Sequence, residues 1–205
     1  MSTETQGDAN GDRPYHRGGL PADLVRTSFE LLAENGLADF SVAKVARRLG
    51  ISTAAPYRHY RDRAQLLAAV ATAAARELAD EVRTAADSAG PDPLDRFAAV
   101  APAYVRFAAT RGAGFDVIFA PELTELRDHS LAAAGRDLMD LLTTLAEATG
   151  APSKPDALRL VEYLVTLSHG YATLHRNGFF TRGDRHDLDS LAAHAAEAVR
   201  TLCAR

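Results

Sequence analysis

Tryptophan is absent from these 205 residues, cysteine occurs once and lysine only twice. A single thiol, Cys203, can form no internal disulfide, so the fold must rest on packing, and a reducing compartment, the cytoplasm, is the expected location. Long hydrophobic runs are missing too: the longest largely apolar stretch, Leu66 to Ala75, has ten residues and includes Thr72, where a bilayer span takes roughly 20. The opening MSTETQGDANGD lacks both the cationic start and the apolar centre of an export sequence. There is no glycine-rich phosphate loop, no metal-ligand spacing and no nucleophile beside an evident base; His129, His169 and Cys203 stand scattered among the carboxylates. These absences argue against a membrane protein and against an all-helical enzyme, and no metal or cofactor is expected.

What is present is a strong asymmetry of charge. The chain as a whole carries −4, yet between Ser41 and Arg63 six cations (Lys44, Arg47, Arg48, Arg58, Arg61, Arg63) face one anion, Asp62, leaving that segment at +5 and the remainder at −9. A small cationic reader attached to a larger acidic body is the arrangement implied, and double-stranded DNA is the partner that such a reader fits. Residues 1–18 read as a mobile arm, polar and acidic at first, whose Arg13, His16 and Arg17 suit phosphates.

Apolar residues recur near every 3.6 positions almost throughout, and no run of alternating β-branched residues competes, so an all-α chain of about nine helices is expected. Leu24, Val25, Ser28, Leu31 and Leu32 stripe a first helix that Asn35-Gly36 ends in a left-handed cap. Ser41 caps a second, with Val42, Val45, Ala46 and Leu49 inward; Gly50 permits the turn, Ile51 plugs the angle, and a third short helix runs to about Tyr60. Pro56 withholds a donor from that third helix and disfavours helical geometry at Ala55, which predicts a late start or a distorted first turn. Asp62 opens a long fourth helix with Leu66, Leu67, Val70, Ala74, Leu78 and Val82 on one side, fading before Gly90-Pro91. A fifth, from Leu94 to Ala108, is expected to kink at Pro102; a short sixth lies around Phe115 to Phe119, and a seventh carries Leu131 to Leu145. The penultimate helix, about 156–177, has two stripes: Leu160, Leu164, Leu167, Tyr171 and Leu174, and Val161, Val165, Ser168 and Ala172. A helix apolar on two sides needs two partners, so the last two helices, the second of them 188–204, are expected to build a four-helix homodimer interface; burial of both stripes in one monomeric bundle is the alternative.

The segment from Leu20 to about Val70 resembles the TetR/AcrR family of bacterial transcriptional regulators. The likeness rests on a helix ending in AENG, then SVAKVARRLGIS, the pair Tyr57 and Tyr60, and an Arg-x-x-Leu-Leu start to the fourth helix. It implies a helix-turn-helix domain over 19–66, followed by an effector-binding and dimerising bundle over 67–205. The body is similar to a branch with a tryptophan and a His-Gly pair on the penultimate helix; His169-Gly170 supplies the pair, while the tryptophan has no counterpart. By resemblance, Ser41 lies beside a phosphate, Tyr57 donates its hydroxyl to the backbone of the DNA, and Arg63 opens the fourth helix against phosphate. Arg48 and Ser52 join this DNA-binding set, and Thr53, Ala54, Ala55, Arg58 and His59 meet base edges. The function implied is a repressor that binds a palindromic operator as a homodimer and is released by a small molecule; the alternative is a regulator without an effector. Pocket candidates are Tyr104, Phe107, Phe115, Phe119, Met139, Tyr163, Leu167 and His169, each equally able to be ordinary core.

Overall fold

The computed structural model describes residues 19–180 and 187–203; the expected arm, residues 1–18, lies outside them. Among the described residues every regular element is helical. Helix α1, Gly19–Asn35, buries Leu24, Ser28, Leu31 and Leu32, and Gly36, at φ 72°, ends it by donating its N–H to the Leu32 carbonyl at 2.8 Å. Helix α2, Val42–Leu49, begins where Ser41 Oγ accepts the N–H of Lys44 at 3.2 Å, which satisfies one of the donors that a helix start leaves open. It stops at Gly50, whose φ of 69° suits a residue without a β-carbon and lets its N–H reach the carbonyls of Ala46 and Arg47. After the 3-10 turn Pro56–Arg58 comes α3, Arg63–Ser88, capped by Asp62, whose carboxylate accepts the N–H of Gln65 at 2.9 Å. That bond holds the Asp62 carboxyl below its ordinary pKa.

The body consists of α4 Pro93–Ala98, α5 Val100–Arg111, α6 Ala113–Asp116, a 3-10 turn Val117–Phe119, α7 Pro121–Thr124, α8 His129–Ala148, α9 Lys154–Arg176 and α10 Leu188–Cys203. Its middle is α5, which packs against α3, α9 and α10, while α8 lies along α3. The expected fifth helix is in fact two, parted at Ala99. Pro102 cannot donate to the carbonyl of Ala98 and its ring crowds that carbonyl, so the break falls three residues before the proline rather than at it. The expected sixth element likewise resolves into α6, the 3-10 turn and α7.

Two apolar cores result. One unites Leu78, Val82, Phe97, Val105, Leu142, Val161, Leu164 and Val199 within the body. The other joins Leu24, Leu31, Leu32, Val42 and Val45 of the first two helices to Leu66, Leu67 and Val70 of α3, and it is completed by Val117, Ala120 and Leu123. The small N-terminal unit is therefore closed by a segment that lies about 50 residues further along the chain, and Phe29 and Ile118 touch both cores. No helix of the described residues is long and apolar enough to cross a membrane.

Candidate nucleic-acid interface and body site

Where a third helix running to Tyr60 is expected, the structure has only the 3-10 turn Pro56–Arg58. Pro56 has no N–H to offer the carbonyl of Ser52. That carbonyl takes the N–H of Ala55 instead, at 3.0 Å, and Arg58 then donates to Ala55 at 3.2 Å and His59 to Pro56 at 3.0 Å. Each of these bonds spans three residues rather than four. Ala55 is helical all the same, at φ −61° and ψ −42°, against the usual preference of a residue preceding proline. The distortion foreseen from Pro56 is present, and it shortens the helix to a single tight turn with Pro56 buried beneath it.

The turn presents an uncommitted surface. Ser52, Thr53, Ala54, Tyr57, Arg58 and His59 are exposed and Ala55 half-buried. Among the described residues the side chains of Ser52, Thr53, Tyr57, Arg58 and His59 make no hydrogen bond or ion pair. In a fold where most arginines are paired, a hydroxyl, a phenol, a guanidinium and an imidazole left free on one protruding turn suit the donors and acceptors of base edges and phosphates. Tyr60, next along, is half-buried in the N-terminal core with its hydroxyl 3.4 Å from the carbonyl of Pro21.

Two cations of the expected set are engaged elsewhere. Arg48 forms a two-pronged pair with Glu34, at 3.0 and 2.6 Å, which pushes the guanidinium pKa up and the carboxyl pKa down. Its neighbour Arg47, which the expected set omits, is exposed with no partner among the described residues. Arg63 is more deeply committed: Nη2 donates to the carbonyl of Leu37 at 2.9 Å, Nε to that of Phe40 at 3.3 Å, and Nη1 to Glu122 of α7. The guanidinium also lies over the Phe40 ring, 5.6 Å from its centre. Arg63 thus ties the turn between α1 and α2 to the body. Ser41 Oγ is engaged as a helix cap, leaving the first amides of α2 to face an anion.

In the body, five of the eight pocket candidates gather. Tyr104, Phe107, Phe115, Phe119 and His169 form a chain of rings in mostly edge-to-face contact, with centres 5.4 to 6.3 Å apart. Tyr104 Oη lies 3.4 Å from His169 Nδ1, and burial, then the nearby charge of Asp116, pushes the phenol pKa far up. Met139 and Tyr163 instead lie exposed on α8 and α9, and Leu167 is half-buried against the body core. Beside the rings, Asp116 Oδ1, Ser168 Oγ and Thr173 Oγ1 are buried with no hydrogen-bond partner, while Asp116 Oδ2 holds Arg176 at 2.7 Å. Among the described residues no group of histidine, cysteine and carboxylate side chains could hold a metal ion.

Two family models match this chain. Residues 24–70 fit the bacterial regulatory proteins of the tetR family, and residues 97–199 fit the tetracyclin repressor-like C-terminal domain. The chain belongs to the TetR family. Membership makes it a transcriptional regulator, not an enzyme. Among curated relatives, the HTH-type transcriptional regulator BetI of Stenotrophomonas maltophilia is 34% identical over 77 residues, 38% of this chain and 39% of that relative, so the match spans well under half of BetI. A solved structure from Rhodococcus sp. RHA1, of unknown function, superposes over 95% of this chain and 100% of its own at a TM-score of 0.76 and 29% identity. A TetR-family regulatory protein from the same source gives 0.65 at 19% identity, over 89% and 95% of the two chains. The fatty acid degradation regulator FadR of Bacillus halodurans gives 0.68 at 15%, over 90% and 96%; at such identity the likeness is one of fold.

The TetR N-terminal match covers α2 and the reading turn whole and ends at Val70, inside α3. Val117, Ala120 and Leu123, which close the core beneath that turn, fall within the C-terminal match. No local pattern marks them as partners of the reader. Arg47 was findable: on α2 it lies one position from Arg48, and only the reach of Glu34 decides which of the two stays free.

Proposed function

We propose that this TetR-family chain is a repressor that acts in the cytoplasm, binds a palindromic operator in double-stranded DNA as a homodimer, and is released by a small-molecule effector. The observation that carries the reading is the free side-chain set on the turn after α2: Thr53, Arg58 and His59 toward base edges, with Ser52, Tyr57 and Arg47 toward phosphates. The domain division is that of a reader over 19–66 and a body over 67–205, the reader's core being closed by Val117, Ala120 and Leu123.

Dimerisation through α9 and α10 is supported by the outward stripe of α9. Its inner row, Val161, Leu164, Ser168 and Ala172, is buried in the body, while Leu158, Tyr163 and Leu174 are exposed and Leu160, Leu167 and Tyr171 only half-covered. On α10, Leu191 is buried in the body and Leu188 half-buried, while Ala193, His194, Glu197 and Leu202 are exposed. Two readers related by a dyad would enter successive major grooves about 34–36 Å apart.

The ring cluster is the effector site in this reading, because Asp116, Ser168 and Thr173 carry buried polar atoms that a bound molecule would satisfy. Release follows from the turn Val117–Phe119, which has one foot in each unit. Phe119 contacts Phe115 and His169, while Val117 is buried in the reader's core. A ligand that displaces Phe119 must disturb Val117, then the contact of Glu122 with Arg63. It releases DNA to the extent that it binds the displaced state more tightly.

Arg58→Ala tests the reading turn. We expect operator affinity to fall about 5- to 150-fold, the 1–3 kcal/mol of a lost base contact, with discrimination relaxed at one base pair of each half-site. A binding isotherm matching that of the parent protein would remove Arg58 from the interface.

A further inference from the structure

We propose that the cleft between α1 and α3 is a second ligand site, distinct from the ring cluster, that takes a small organic anion with a flat apolar body and is coupled to DNA binding. The coupling rests on the operator reading above; the binding does not. The cleft encloses about 1020 Å³, at the upper end of the range of small-molecule sites. Its apolar wall comes from Val25 and Phe29 of α1 facing Ala69 and Ala73 of α3, where the alanines leave room for a ring to lie against Phe29. None of the residues lining it belongs to the ring cluster Tyr104, Phe115, Phe119 and His169.

The charges around the cleft decide the class of ligand. Arg26 is neutralised by Asp23 at 2.6 Å and Glu30 at 3.6 Å. Arg111 lies 2.7 Å from Glu77 and rests its guanidinium over the Phe29 ring, 5.9 Å from its centre. Asp128 caps α8, accepting the N–H of Leu131 at 2.9 Å. Arg76 alone of the three lining arginines has no carboxylate partner among the described residues. Over the whole lining the charges balance, Arg26, Arg76 and Arg111 against Glu30, Glu77 and Asp128, but the guanidinium left without a carboxylate is that of Arg76, about one helical turn past Ala73 on α3, so a carboxylate or sulfonate paired with Arg76 would place its ring on the wall below.

Coupling follows from where the cleft ends. His59 and Tyr60 of the reading turn line one end; Arg111 of α5 and Ser130 of α8, in the body, line the other. A molecule spanning both ends has a different affinity whenever reader and body shift against one another, and linkage makes the effect reciprocal: DNA that selects one pitch of the reader changes the affinity for the anion.

The probe is 8-anilinonaphthalene-1-sulfonate, titrated against the full chain by calorimetry and by its own fluorescence, which no tryptophan of this protein overlaps. Arg76 is exposed, so Arg76→Glu keeps the fold; it should weaken the tightest class of probe binding about tenfold or more, and Ala73→Phe should remove that class, with melting temperature confirming a folded protein. Phe119→Ala, outside the cleft lining, should leave that class of binding present, and a saturating selected duplex should shift the probe's affinity severalfold. Binding unaffected by both cleft variants, or abolished by Phe119→Ala, would overturn the site. Equal probe affinity with and without bound duplex would overturn the coupling. A protein that binds no duplex at all would sink the operator reading, while the cleft variants still decide the site.

Discussion

Alanine in place of Arg63 is expected to lower the melting temperature by about 5–10 °C and to weaken operator binding while leaving its salt slope unchanged. The guanidinium donates to the carbonyls of Leu37 and Phe40, and its removal leaves both without that donor. Bonds to a charged donor contribute about 1.5–3 kcal/mol each when well formed; the 3.3 Å contact is the weaker, and the half-exposed pair with Glu122 adds under about 1 kcal/mol. Together this is about 2–4 kcal/mol, and for a chain of this size each kcal/mol moves the midpoint by roughly 2–4 °C. DNA affinity falls because the turn between α1 and α2, and with it the start of α2, loses its tie to α3 and to α7. The family resemblance gives Arg63 a phosphate instead. A phosphate contact would act differently, since each one released changes the slope of log affinity against log salt by about 0.9. A slope lower by about one with an unchanged melting temperature would restore the phosphate role and remove the tie.

The second large effect is expected from Tyr163→Glu combined with Leu174→Glu. Both side chains are more than two-fifths exposed on the outward stripe of α9, so the monomer's own core is untouched. In the dimer the four introduced carboxylates would be buried against apolar surface without partners. Sedimentation at micromolar concentration should show monomer where the parent protein shows dimer. Operator affinity should drop about 10²- to 10⁴-fold, because the second reader no longer binds as part of the same molecule. A variant that still sediments as a dimer would place the interface elsewhere.

Much of this architecture was legible because it is written locally. Ser41, Gly50 and Asp62 act where their chemistry predicts, one hydroxyl, one left-handed residue and one carboxylate at helix ends. The buried row Leu66, Leu67, Val70, Ala74, Leu78 and Val82 follows from spacing alone. What stayed hidden is long-range. Arg48 meets Glu34, 14 residues away, and Arg63 meets Glu122, 59 away, and neither pairing leaves a trace in periodicity. The closure of the reader's core by Val117, Ala120 and Leu123 was hidden for the same reason, since short apolar pieces between glycines and prolines carry no helical period to read. Pro56 announced a distorted start, but the collapse of that helix to one 3-10 turn depends on its burial beneath the turn. Met139 and Tyr163 lie outside the ring cluster because helical spacing says that a residue is apolar on a face, not which of two neighbours that face will meet.

Selection from a randomised duplex library tests the central claim most directly. Purified protein at about 0.15 M salt, with excess random competitor, should enrich sequences containing two inverted half-sites whose centres lie one helical turn, about 10–10.5 base pairs, or a multiple of it apart. An Arg58→Ala protein carried through the same rounds should yield a motif degenerate at one position of each half-site. A pool still random after repeated rounds with the parent protein would contradict the account, because the free side chains after α2 would then have no sequence to read.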